Sequence, residues 1–140
     1  MEQERIQQLL GEKFNCAQTM MIMGLEAMET ENPEAVRAMT GLGGGLGGCG
    51  KACGALTGAV SMLGLFAGRG TVEEDADERL QPMVQELVAW FEENFGAPGQ
   101  GVDCAGIIGG DKRNIQTICP NLIVQTCAKA FELLEDNGFL

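Results

Sequence analysis

The stretch Gly41–Gly58 reads GLGGGLGGCGKACGALTG, and nine of its eighteen residues are glycine. Glycine loses more backbone freedom on folding than any other residue, so a run this dense costs free energy to order. Placed just ahead of an apolar segment, it predicts a loop that turns through positive φ and brings backbone close to something. Two of its other residues are Cys49 and Cys53. Gly43, Gly45 and Gly48 satisfy G-x-G-x-x-G, but that fingerprint needs a preceding strand inside a βαβ unit. The residues before it, PEAVRAMT, read as helix. Gly45 to Lys51 fits G-x-x-x-x-G-K, yet Ala52 stands where a phosphate-binding loop needs Ser or Thr for magnesium. Both nucleotide readings are set aside.

Downstream, Ala52 to Gly68 is the longest uncharged stretch, 17 residues that include Gly54, Gly58, Gly64 and Gly68. It reads as a buried core helix rather than a membrane span. Upstream, Glu2 to Leu10 is a short amphipathic helix, Asn15 caps a helix through Met28, and Asn32-Pro33 starts another that ends before Gly41. Thr71, followed by Glu73 and Glu74, predicts the start of a long helix toward Phe95, with Leu80, Met83, Val84, Leu87, Val88 and Phe91 at helical spacing. Gly96-Ala97-Pro98-Gly99 breaks the chain, Asp103 to Ile108 makes one helical turn, Gly109-Gly110 stops it, and Pro120 to Leu134 forms the last helix. No alternating β pattern persists. The expectation is an all-α, compact bundle of about five to six helices, a single domain over residues 1–140.

At 140 residues the chain is long enough to bury a core without cysteine staples. Its net charge of −11 excludes nucleic acid and anionic membrane surfaces as partners. The charged start, MEQERIQQLLGEKF, lacks the apolar centre of a secretory signal, so the expected compartment is the cytoplasm. There structural disulfides are rare, and cysteines serve metals or redox chemistry more often.

The six cysteines are Cys16, Cys49, Cys53, Cys104, Cys119 and Cys127, and no C-x-x-C pair occurs among them. Their spacing excludes a thioredoxin-type motif, a zinc ribbon, a ferredoxin run and haem attachment. Four of them fall at predicted helix starts. Cys16 follows Asn15, Cys104 follows Asp103, Cys119 precedes Pro120, and Cys53 lies in the first turn after the glycine loop. Unpaired N–H groups and the positive end of the helix dipole favour a thiolate there, by about 0.3–1 kcal/mol at an exposed terminus. Cys53, with Lys51 nearby, is expected to feel this most. Free cysteine is also a common core residue, and Cys127, in mid-helix, reads as core. Gly50, Gly54 and Gly58 at four-residue spacing give one helix a flat face. Helix packing is the reading for Gly58 and approach to a cofactor for Gly54, with Gly50 the second candidate cofactor contact. Met20, Met21, Met23 and Met28 read as adaptable core filling. The acidic run Glu73 to Glu78 reads as a solvated helix start.

The segments FNCAQ (Phe14–Gln18), GLGGGLG, CGALTGAV (Cys53–Val60), DCAGIIGGD (Asp103–Asp111) and ICP (Ile118–Pro120) together resemble the C_GCAxxG_C_C family of redox-active proteins. The resemblance spans almost the whole chain and implies that Cys16, Cys53, Cys104 and Cys119 are the family cysteines, with Cys49 and Cys127 extra. The family name writes Gly-Cys-Ala, whereas this chain has Cys53-Gly54-Ala55. The resemblance implies a redox association near oxidoreductase or transporter functions, and no set reaction.

Three functions follow from these residues. The leading one is a redox centre, an iron–sulfur cluster held by Cys16, Cys53, Cys104 and Cys119 for electron transfer to a redox partner protein; zinc would use the same four ligands. The second is a metal-free thiol–disulfide protein in which Cys53 attacks and a nearby cysteine resolves, with Cys53 and Cys16 the candidate catalytic residues. The third is a non-enzymatic helical partner module with core cysteines. Histidine is absent and no carboxylate pair stands out, which weighs against acid–base and hydrolytic catalysis.

Overall fold

The computed structural model describes residues 2–97, 99 and 101–140, and within them the chain forms seven α-helices and no strand. They are α1 (Glu2–Gly11), α2 (Cys16–Ala27), α3 (Pro33–Ala38), α4 (Gly54–Ala67), α5 (Leu80–Phe95), α6 (Cys104–Ile107) and α7 (Ile115–Asp136). The all-α expectation holds, with seven helices rather than five to six. Pro98, part of the predicted break, lies outside the described residues.

Asn15 anchors α2 through a capping box. Its side chain accepts the Gln18 N–H at 2.9 Å, and its own N–H donates to Gln18 Oε1 at 3.2 Å. The Asn15 and Gln18 amides also donate to the Thr40 carbonyl and hydroxyl, each at 2.9 Å, which ties the entry of the glycine loop to the start of α2.

The central contact is α2 against α4, and small residues set it. A Cβ on Gly58 would come within 2.9 Å of Ala17 Cα and Met20 Cβ; one on Gly24 would reach Met62 Cγ at 2.8 Å and Leu65 Cδ1 at 3.1 Å. Residue numbers rise together along the seam, so the two helices run parallel and their N-termini lie side by side. Gly58 is therefore a packing residue, as its spacing suggests. The core continues through Met62, Leu63, Met83, Leu87, Phe91, Leu122 and Leu134, all essentially inaccessible. Each such side chain contributes about 1.5–3 kcal/mol by leaving water. Met20, Met21 and Met23 fill this interior, while Met28 is exposed.

Two helix starts differ from the sequence reading. Residues 71–79 are not helical and α5 begins at Leu80, because side chains capture the local backbone. The Glu74 carboxylate accepts the N–H groups of Gly70 and Thr71, and Arg69 donates to the carbonyls of Thr71 and Val72 at 3.1 and 2.8 Å. The second is α7, which begins at Ile115 and carries Pro120 inside it. Proline lacks the N–H that would bond the Gln116 carbonyl, a loss tolerated here because Gln116 faces solvent. Among the described residues no helix is long and apolar enough to cross a membrane.

Candidate four-cysteine site

The glycine loop folds as a left-handed turn. Gly44, Gly45, Leu46, Gly47 and Gly48 have φ of +65, +72, +65, +63 and +78°, five consecutive residues in the region that L side chains avoid. The turn closes on itself as Gly48, Gly50 and Lys51 donate N–H bonds to Gly43, Gly44 and Gly45 at 3.2, 3.0 and 2.9 Å. Gly45 has no room for a side chain: a Cβ would stand 2.5 Å from Lys51 N and 2.8 Å from Cys104 Cβ.

The loop then delivers Cys53 to α4 as its N-cap, one position ahead of the first turn expected for it. A short ladder pins this segment to α6. The N–H groups of Cys53, Cys104 and Ala105 donate to the carbonyls of Val102, Lys51 and Gly50 at 2.9, 2.6 and 3.1 Å. Cys104 and Cys16 are the first residues of α6 and α2, as the sequence suggests. Cys119 is not at a helix start. It is the fifth residue of α7, because the helix begins upstream of Pro120, and it arrives through the packing of α7 on α4 and α1.

Cys16, Cys53, Cys104 and Cys119 all line one cavity of about 310 Å³. Its walls include Leu10, Phe14, Ile115, Leu122 and Ile123, with the amides of Asn15 and Gln116 and no charged side chain. Gly44 and Gly54 also line it. Gly54 lets the helices approach here, since a Cβ would lie 2.5 Å from Cys16 Sγ. Gly50 stands instead against α6, where a Cβ would meet Ala105 Cβ at 2.9 Å. Cys127 is fully buried in the core and Cys49 is exposed on the loop. A larger groove of about 550 Å³, between α1, α2 and α3, contains no cysteine.

Backbone amides face two of the sulfurs. Those of Gly44, Ala17 and Cys16 donate to Cys16, and those of Ala55 and Leu56 to Cys53. They favour thiolates, as expected of helix starts, but burial opposes them and wins. Burial, then repulsion from Cys16 and Cys104, pushes the Cys53 thiol up to about 12 and Cys119 to about 11; Cys16 and Cys104 also rise, chiefly through burial. The exposed Lys51 ammonium does not reverse this at Cys53. Without a compensating cation the thiols hold their protons at neutral pH.

The donor set is soft, sulfur only, with N–H groups aimed at two of its members, and it fits a thiolate-ligated centre chemically. The four sulfurs line one cavity, and among the described residues no three Cys, Asp or Glu side chains are grouped to hold a metal ion. The approach of Leu46 to the surface is the feature that sequence reasoning passed over; a leucine amid glycines was the available signal.

No curated protein and no solved structure matches the chain. A family model described as "Putative redox-active protein (C_GCAxxG_C_C)" matches residues 14–133, which include all six cysteines, the glycine loop and α2 through most of α7. This chain belongs to the C_GCAxxG_C_C family of redox-active proteins.

Proposed function

We propose that Cys16, Cys53, Cys104 and Cys119 ligate an iron–sulfur cluster and that the protein passes electrons to and from a redox partner protein. The observation that carries this reading is the convergence of four thiols from four separate elements on one uncharged cavity. Four cysteine sulfurs are the usual ligand set of an iron–sulfur cluster; a zinc ion would take the same four at about 2.3 Å each. When bound, such a centre supplies one-electron oxidation and reduction.

The protein's own groups have separate tasks. The amides of Gly44, Ala17, Ala55 and Leu56 hold the Cys16 and Cys53 sulfurs and favour their thiolate forms. Hydrogen bonds to ligand sulfurs are a standard means of setting a potential. Leu10, Phe14, Leu122 and Ile123 make the wall beside the sulfurs apolar. Each thiol gives up its proton on ligation, so loading weakens as pH falls. The cytoplasm suits this chemistry because it keeps thiols reduced, and all six cysteines are free here.

The metal-free thiol–disulfide reading also needs thiolate, so the raised thiols weigh on both readings alike. Anaerobic reconstitution with ferrous iron and sulfide separates the two. The cluster reading requires bound iron, acid-labile sulfide and a visible charge-transfer band, each lost in Cys53→Ser and retained in Cys127→Ser. A protein that binds no iron but forms a disulfide between two of the four cysteines would replace it.

A further inference from the structure

We infer that Thr40 is a positioning residue of the four-cysteine site: with Gln18 and Asn15 it holds the Gly44 N–H against the Cys16 sulfur, and its effect on a bound centre rests on the redox role proposed above. Thr40 opens the short turn Thr40–Leu42, immediately ahead of the glycine loop. Its hydroxyl donates to the Arg37 carbonyl at 2.7 Å and accepts the Gln18 side-chain amide at 2.9 Å. Its carbonyl accepts the Asn15 side-chain amide at 2.9 Å. Gln18 returns to Asn15 through the two bonds of the capping box, at 2.9 and 3.2 Å. The three residues thus close a ring of hydrogen bonds, and Thr40 is its one member on the loop side.

The ring sets a register. Gly43 rests on Asn15, where a built Cβ would stand 2.5 Å from Asn15 Nδ2. The next loop residue, Gly44, donates its N–H to the next residue of the helix, Cys16. Consecutive residues of the loop therefore meet consecutive residues at the start of α2, and a slip at Thr40 takes the donor off the sulfur. The other two N–H groups facing Cys16, those of Ala17 and Cys16 itself, belong to α2 and move with it. Gly44 is the donor whose place depends on contacts between elements. Thr40 is exposed, so water can satisfy its partners, and the hydroxyl orients the loop more than it stabilises the fold. A hydrogen bond to a ligand sulfur favours the more negative, reduced state of a metal centre, so this donor raises the potential of whatever the thiolates hold.

The test starts without a bound centre. In the reduced, metal-free protein, hydrogen exchange at the Gly44 amide is followed by NMR in three variants. Thr40→Val keeps the shape and removes the hydroxyl, Thr40→Ser keeps the hydroxyl, and Gln18→Met breaks the same bond from α2. Thr40→Val should speed exchange at Gly44 about two- to tenfold, the factor that an ordinary hydrogen bond carries. The amides of Ala55 and Leu56, which face Cys53, should stay as they are. Thr40→Ser should match the unaltered protein, and Gln18→Met should repeat the effect of Thr40→Val. After reconstitution with ferrous iron and sulfide, the potential should fall in Thr40→Val and not in Thr40→Ser. Unchanged exchange at Gly44 in both Thr40→Val and Gln18→Met, equal changes at Ala55 and Leu56, or a Thr40→Ser protein that behaves as Thr40→Val would each overturn the positioning role. So would an unchanged potential beside a displaced Gly44. Iron analysis keeps the two readings apart. Iron bound with Gly44 unmoved overturns the positioning role alone, whereas a displaced Gly44 in a protein that binds no iron leaves it standing and overturns the cluster.

Discussion

The first residue of α4 presses on the first residue of α2: a Cβ added to Gly54 would lie 2.5 Å from Cys16 Sγ and 3.0 Å from the Leu42 carbonyl oxygen. Gly54→Ala must therefore displace a sulfur, the loop or the parallel helix seam. Overpacking of this kind costs about 1–3 kcal/mol, more than the gain of up to about 1 kcal/mol in helix propensity. Gly64, further along the same helix, has nothing within 4 Å of a built Cβ, so Gly64→Ala should gain about 1 kcal/mol. Chemical denaturation of both variants, with iron content after reconstitution, checks the pair. Gly54→Ala should lose stability and iron together, and Gly64→Ala should lose neither.

The metal-free protein should lose stability in alkali. Cysteine titrates near 9 in the unfolded chain, while burial raises Cys53 to about 12, Cys127 to about 12 and Cys119 to about 11. The folded state then holds more protons than the unfolded state as pH rises above 9. Stability from these thiols is fully present below that value and is lost progressively toward 12. Thermal midpoints measured across this range should fall, and a flat profile would show that the thiols are hydrated. In alkylation at neutral pH the exposed Cys49 should react before Cys53, an order set by access.

Opposite substitutions in the left-handed turn should have opposite effects. Gly45→Ala combines a φ of +72° with contacts of 2.5 and 2.6 Å to Lys51 N and O, and should cost more than about 2 kcal/mol. Leu46→Gly removes the one L side chain from the turn and should stabilise by about 1 kcal/mol. Equal destabilisation by both changes would mean that the Leu46 side chain, despite its exposure, packs on the loop.

Thr19 Oγ1 is buried without a hydrogen-bond partner on α2. An unsatisfied buried hydroxyl costs about 1–3 kcal/mol, so Thr19→Val, similar in shape, should raise stability by roughly 1 kcal/mol. Urea unfolding measures it; a loss would reveal a bond to the hydroxyl.

Local chemistry made much of this structure legible. Asn15 and Asn32-Pro33 announce α2 and α3, and both side chains accept the N–H groups expected of caps. The placing of Cys16, Cys53 and Cys104 at or beside helix starts was legible from Asn15, the glycine loop and Asp103. Cys119 was found for a local reason that does not hold, since Pro120 sits within α7 rather than in its first turn. Glu74 misled because a carboxylate that would suit a helix N-terminus instead binds the backbone of Gly70 and Thr71. The raised thiols were out of reach of sequence. Burial at the cavity depends on α7, far along the chain, and that desolvation outweighs the helix-start effect at Cys53.

Because α2 and α4 run parallel and meet where Gly58 faces Ala17 and Met20 and Gly24 faces Met62 and Leu65, they can dock as soon as both have left the ribosome, before α7 has been made. At that moment Cys16 and Cys53 already stand together, with Cys104 and Cys119 still to be synthesised. Half of the site is thus open to metals and oxidants during translation. On the proposed cluster reading, selective loading would wait for α7, whose arrival brings Cys119, Leu122 and Ile123 to the cavity.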